Sequence, residues 1–227
     1  MRINGSAWPP TSFARLAIAW AHRDRVLQGD RLIEHEAGSI GPEPGTTTTV
    51  RVLHALSGTV LHETTGIVGT SHTVEVLLAN DATVRVEVDS RRGVLVSRQR
   101  HIRTIACECG EKLANADFDT QAAWTLGAGW SIAGSAAVKV AGTASDLMQM
   151  FAFVDGGVYR TELVLSQVTA GSVRVGLAGV APIDGATRNA NGAFVEMLTA
   201  NANTALRIAA DAAFAGRIER VSLRRLA

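Results

Sequence analysis

Phe118-Asp119-Thr120-Gln121-Ala122-Ala123-Trp124-Thr125-Leu126-Gly127-Ala128-Gly129-Trp130-Ser131-Ile132-Ala133-Gly134 decides how this chain reads. Two of its four tryptophans stand six residues apart around Gly-Ala-Gly. Glycine reaches the positive φ values that tight turns require. The order therefore predicts a short strand over residues 124–126, a turn at 127–129 and a second strand from Trp130. Outward from this hairpin, a period of two recurs, the mark of half-buried strands. Tyr159, Thr161, Leu163 and Leu165 alternate with Arg160, Glu162 and Val164, and Val173, Val175 and Leu177 oppose Arg174. Residues 184–192, rich in Asp, Gly and Asn, read as a long loop. Residues 194–198, 205–208 and 214–223 read as further strands.

The N-terminal half carries the same period. Leu16, Ile18 and Trp20 alternate with alanines, and Gly41-Pro42-Glu43-Pro44-Gly45 is a loop signal leading into a β-branched strand over 46–53. Ser57-Gly58 turns the chain into 59–64. Val74, Val76 and Leu78 follow, then Val84, Val86 and Val88 with Arg85, Glu87 and Asp89 on the other face. Ser90-Arg91-Arg92-Gly93 closes a hairpin into 94–103. About seven strands in about ninety residues is the density of a small sandwich. Residues 107–115 hold charge, glycine and little pattern.

Composition bounds the function. With 47% hydrophobic and 19% charged residues the chain has material for packed cores, and 22 glycines against 5 prolines suit many tight turns. A formal net charge of +1 gives no basic face for nucleic acid. No run approaches 18 apolar residues, so no membrane span is expected. Met1-Arg2 leads into no apolar signal core before Trp8-Pro9-Pro10, so no Sec-type export signal is expected.

Motifs that carry chemistry fail on their own requirements. His22-Arg23-Asp24 matches the start of a kinase catalytic loop, but the metal-holding Asn five residues on is Gly29. Gly127-Ala128-Gly129 starts a dinucleotide fingerprint, but Ile132 stands where the third glycine is needed. There is no Gly-x-Ser-x-Gly and no His-Glu-x-x-His, and the six histidines are scattered. Cys107 and Cys109, two apart, would form a strained disulfide and have no further ligand nearby for a metal, so they read as free thiols. Asn115, Asp117 and Asp119, with Asp184 and Asn189 further on, offer oxygens for calcium, yet three neighbouring side chains fall short of six to eight ligands. Trp124, Trp130 and Tyr159 can stack on sugar rings or fill a core, and their apolar neighbours favour the core. Arg160, Glu162 and Arg174 read as exposed cross-strand pairs. No catalytic residue, cofactor or metal is expected, and no ligand-binding residue is assigned.

Two resemblances add to this reading. Trp20-Ala21-His22-Arg23-Asp24-Arg25, Gly38-Ser39-Ile40-Gly41-Pro42-Glu43 and the hairpin over 84–93 resemble the fibronectin type III-like domain of long-tailed phage tail-tip and hub proteins, across residues 14–105. The Trp124/Trp130 opening and the closing Phe214-Ala215-Gly216-Arg217-Ile218-Glu219-Arg220-Val221-Ser222-Leu223 resemble carbohydrate-binding-module-like jelly rolls near the ends of phage tail proteins, across 114–227. The resemblances imply an all-β chain: a fibronectin type III-like sandwich over 1–105, a linker over 106–113 and a jelly roll over 114–227. They imply a virion tail component without enzymatic activity, assembled in the host cytoplasm. It would contact other tail proteins, form a homo-oligomer such as a trimer, and display a surface for a host glycan or receptor. The alternative is a carbohydrate-binding accessory region of a glycosidase or depolymerase.

Overall fold

The computed structural model of the protein describes residues 1–7, 9, 11–22, 41–98 and 100–227. Every regular element among them is a strand, and no helix occurs among them. The chain divides into two compact units, Met1–Gly110 and Glu111–Ala227. Residues 23–25 and 38–40, which carry part of the fibronectin-like resemblance, lie outside the described residues.

In unit 1, β1 (Arg2–Ile3), β3 (Arg15–Ala19) and β6 (Ser71–Glu75) form an antiparallel three-stranded sheet in the order β1-β3-β6. Facing it are β2 (Thr11–Phe13), β9 (His101–Glu108), β7 (Ala82–Arg92), β4 (Thr46–His54) and β5 (Val60–Ile67), in that order, with β8 (Leu95–Val96) paired to β7. Three strands opposite a sheet built on four long ones is the division of an immunoglobulin- or fibronectin-type sandwich. Of the period-two residues, Leu16, Ile18, Val74, Val76, Val84, Val86 and Val88 are buried as the sequence predicts and Trp20 and Leu78 are half-buried; Val50 and Val52 of β4 are buried as well. β1 and β2 had no visible pattern, because two or three residues cannot show a period. The expected hairpin over 84–103 differs in its return. After the turn at Gly93 only β8 pairs back, and the long partner β9 starts at His101.

The outer face of β7 carries charge. Asp89 and Glu87, whose side chains are 1% and 3% exposed, are held by arginines. Arg51 reaches Asp89 at 2.8 Å, Arg100 reaches Asp89 at 3.3 Å and also pairs with Glu87, and Arg85 reaches Glu87 at 2.9 Å.

The segment expected as a linker is structured on both sides. β9 runs through Glu108, and Gly110 donates its N–H to Asp81 Oδ1 at 2.7 Å. A side chain at Gly110 would lie 2.5 Å from the Asp81 nitrogen, which explains the glycine. Glu111 already belongs to unit 2. Its carboxylate accepts from Ser222 Oγ at 2.6 Å and from the Leu223 N–H at 2.8 Å.

Unit 2 is a jelly roll of two five-stranded antiparallel sheets. One has the order β10 (Thr125–Leu126), β13 (Ser145–Met150), β18 (Asn203–Ala210), β15 (Val173–Gly179) and β16 (Ile183–Asp184). The other has the order β11 (Trp130–Ile132), β12 (Ala137–Lys139), β19 (Ala215–Arg225), β14 (Val158–Ala170) and β17 (Gly192–Thr199). Between them lie Phe118, Trp124, Trp130, Phe153, Tyr159 and Phe214 with the inward aliphatic residues. The Trp124/Trp130 hairpin expected from sequence does not form. β10 pairs with β13 in one sheet and β11 with β12 in the other, so Gly127–Gly129 is a corner between sheets. The Gly127 N–H bonds Asp146 O at 2.9 Å, and a Cβ on Gly127 would sit 2.5 Å from that oxygen. Close approach there, together with a φ of 76° at Gly129, selects the two glycines.

Lys139 is also buried in this unit. Its ammonium donates to the carbonyls of Val140 at 2.8 Å and Thr143 at 3.2 Å, which tie down the turn after β12.

Candidate functional site: a polar groove on the outer face of unit 2

The sheet β10-β13-β18-β15-β16 turns Leu147, Ile208, Val175 and Leu177 inward, so residues at the alternate positions share its outer face. Register aligns them in rows. Met148 stands beside Arg207, Arg207 beside Gly176, and Gly176 beside Asp184. In the next row Asp146 stands beside Ala209 and Ala209 beside Arg174. Alanine and glycine in the middle of the sheet leave a low floor, and the longer side chains form the walls.

The result is a groove of about 410 Å³ lined by Asp146, Arg174, Thr187, Arg207, Ser172 and Asp211. With no side chain on Gly176, the Arg207 guanidinium crosses that position and pairs with Asp184; it also lies 3.8 Å from Asp146. Arg174 meets the other oxygen of Asp184 at 3.1 Å. Burial alone would raise the Asp184 carboxyl. The hydrogen bond and charge of Arg207, followed by those of Arg174, outweigh it and hold the group below its ordinary value. At the end of the groove Ser172 Oγ donates to Asp211 at 2.6 Å, and this bond lowers the Asp211 carboxyl.

Chemically, the groove alternates guanidinium donors and carboxylate acceptors over a small-residue floor. Such a surface hydrogen-bonds hydroxyl-rich ligands in both directions. Asp184, beside the groove, is poor at general-acid work, which needs a raised carboxyl pKa.

The loop expected over 184–192 is stitched to the sheet rim. Gly185 N bonds Val175 O at 2.8 Å, and Val173 and Arg188 exchange both backbone bonds at 2.9 and 2.7 Å. Glu196 accepts from the Ala186 N–H at 2.9 Å and pairs with Arg188, whose guanidinium lies 4.8 Å from the centre of the Phe194 ring.

The residues singled out from sequence are dispersed. Trp124 and Trp130 are each only 7% exposed and spend their indole N–H on Asn115 O at 3.0 Å and Ser145 O at 3.3 Å. Tyr159 is buried, with its hydroxyl accepting from Val154 N at 3.0 Å and its ring edge-on to Phe151 and Phe153. Asn115 accepts from Thr120 N at 3.3 Å and donates to Ala122 O, and so closes its own loop. Asp117 pairs with Arg220 at 3.4 Å, while Asp119 and Asn189 are exposed. Asp184 instead pairs with two arginines of the groove, Arg174 and Arg207. Among the described residues no group of three or more His, Cys, Asp or Glu is placed to hold a metal ion. Cys107 and Cys109 are buried and form no disulfide; Cys109 Sγ donates to Cys107 O at 3.4 Å, and the Cys107 thiol draws the Cys109 thiol down to about 7. Arg160 and Glu162 pair at 3.0 Å on the outer face of β14.

No family model matches the chain, and no curated protein matches it. Among solved structures, a mutant of a family 29 carbohydrate-binding module is similar with a TM-score of 0.37 and 14% identity, over 51% of this chain and 89% of that one. The secreted serine protease VesC from Vibrio cholerae is similar with a TM-score of 0.32 and 13% identity, over 81% and 47%. The CBM51-2 and INT domains of Clostridium perfringens ZmpB give 0.33 and 12%, over 65% and 38%. This chain thus spans less than half of the second and third. Scores this low carry no inference about function, and the residues themselves define an all-β protein of two units with a polar groove on the second.

Proposed function

We propose that the protein is a non-catalytic component of a phage tail tip or fibre, whose second unit displays a surface for a host glycan or receptor. One observation carries the glycan reading: the groove in which Arg207 and Arg174, both paired with the neighbouring Asp184, stand with Asp146 around Ala209. Hydroxyl groups of a sugar ring meet donors and acceptors there at hydrogen-bonding spacing. The tail assignment rests on the sequence resemblances in both halves. Weak contacts of this kind become firm attachment when several copies act together, which suits a tail tip.

The test is binding of the full chain to an array of bacterial surface polysaccharides. The expected result is weak, saturable binding that Arg207→Ala reduces about tenfold or more, the worth of one charged hydrogen bond. Equal binding by Arg207→Ala would reject the groove. Antibodies against residues 111–227 should label the tail tip of intact particles and reduce adsorption. Absence of the protein from particles, with glycan binding retained, would favour the accessory region of a glycosidase or depolymerase. Turnover of a polysaccharide by the protein alone would reject the non-enzyme reading.

A further inference from the structure

At the side of unit 1 where β5 borders the six-stranded sheet and β6 borders the three-stranded one, two histidines meet. His62 pairs in register with buried Val52, and Thr64 with buried Val50, so both point to the sandwich interior. His72 pairs with buried Ile18 and points inward from the opposite sheet. The Nε2 atoms of His62 and His72 stand 3.1 Å apart, and Thr64 Oγ1 is 2.8 Å from the same His62 nitrogen. The ring centroids are 5.3 Å apart, with 30° between the planes.

A nitrogen with a single lone pair or a single proton cannot give full hydrogen bonds to both neighbours at once. A cation can satisfy all three atoms. Two imidazoles on one tetrahedral zinc ion at ~2.05 Å hold their nitrogens about 3.3 Å apart and their ring centres about 5.2 Å apart. The observed 3.1 and 5.3 Å lie within a small rotation of each ring from that arrangement.

We propose that His62 and His72 form a binding site for a divalent transition-metal ion of the zinc class, with Thr64 beside it and the other coordination positions left to solvent. Imidazole selects zinc, copper and nickel over calcium and magnesium, which prefer oxygen. Imidazole ligates in its neutral form, so the ion and protons compete for the site. An ion there would clip β5 to β6 across the two sheets.

The experiment is calorimetric titration of the full chain with zinc chloride in a non-chelating buffer at about pH 7.5. About one ion per chain is expected, with at least tenfold weaker binding after His62→Ala or His72→Ala, unchanged binding after His54→Ala, and loss of binding near pH 5.5. Calcium chloride should give no heat that His72→Ala removes. Undiminished zinc binding by a folded His72→Ala protein, or no saturable binding by the unaltered chain, would overturn the site. Should the alanine variants fail to fold, the imidazole Hε1 resonances of the unaltered chain decide. Zinc must shift those of His62 and His72 ahead of those of the other four histidines, and a shift confined to the others rejects the proposal.

Discussion

The two units solve the same problem, closing two sheets over a core, with different side chains. Unit 2 fills its interior with rings: Phe118 against Trp124, Trp130 against Phe214, and Phe153 edge-on to Tyr159. Unit 1 has valines and isoleucines at the equivalent inward positions, and its central strand β7 sits under a lattice of arginines and carboxylates. An aromatic ring buries far more area than a valine. Unit 2 thus concentrates its stability in a few positions, whereas unit 1 spreads it over many small contacts and adds charge pairing. The buried ionic groups differ in the same sense. Asp89 in unit 1 is shared by Arg51 of β4 and by Arg100, which stands just before β9, while Lys139 in unit 2 is held by carbonyls of its own turn.

The strongest break of this contrast is Trp130→Ala. It should lower the stability of unit 2 by about 3–5 kcal/mol and leave the unfolding transition of unit 1 unmoved. Calorimetry on the full chain checks it, and a single transition that shifts as a whole would mean that the units do not melt independently. Asp89→Asn comes next, at about 1–3 kcal/mol in unit 1. Removing one member of a buried ion cluster is strongly destabilising, but Arg100 opens this one to solvent. Chemical denaturation monitored by circular dichroism measures the loss, and an effect below about 0.5 kcal/mol would place the lattice among ordinary surface pairs. Lys139→Met should cost unit 2 about 1 kcal/mol, since two carbonyls lose their donor while a buried charge disappears.

The smallest effect is a difference in acid response. The folded pKa of His62 is lowered from 6.5, so the unfolded chain takes up a proton first, and unit 1 loses stability as pH falls below about 6.5. In unit 2 the hydrogen bond from Ser166, then that from Arg217, lowers the Glu219 carboxyl, and Asp184 is lowered as well. Their contribution is full above the ordinary values of 4.5 and 3.8 and disappears only as pH falls through the lower folded values. Unit 1 should therefore weaken first on acidification. Calorimetric scans between about pH 7 and pH 4 should show its transition moving alone, and the reverse order would sink the assignment.

Where burial follows a strict period of two, the sequence was plain: Val84, Val86 and Val88, or Tyr159, Leu163 and Leu165, are inward as their spacing says. β12 and β13 were missed. Ala137-Val138-Lys139 is too short to show a period, and in Ser145–Met150 the outward positions Met148 and Met150 are as apolar as inward Leu147. The Trp124/Trp130 hairpin misled because closeness in sequence suggests pairing, whereas the bond from Gly127 to Asp146 sends the two strands to opposite sheets. The groove was invisible for a similar reason. Asp146, Arg174, Asp184 and Arg207 come from four strands, and only the register of β13, β18, β15 and β16 brings them together.

The place of β19 has a consequence for biosynthesis. It follows every other strand of its sheet in sequence, yet it lies in the middle of that sheet, hydrogen-bonded to β12 on one side and β14 on the other. While the ribosome is still making residues 215–225, β12 and β14 have no partner between them, and their backbone groups are open to pairing with other chains. Unit 1 has all its strands by residue 108 and can fold during synthesis. Unit 2 completes its second sheet only when β19 emerges. Translation that stalls before residue 215 should therefore yield chains with a finished first unit and an aggregation-prone second one.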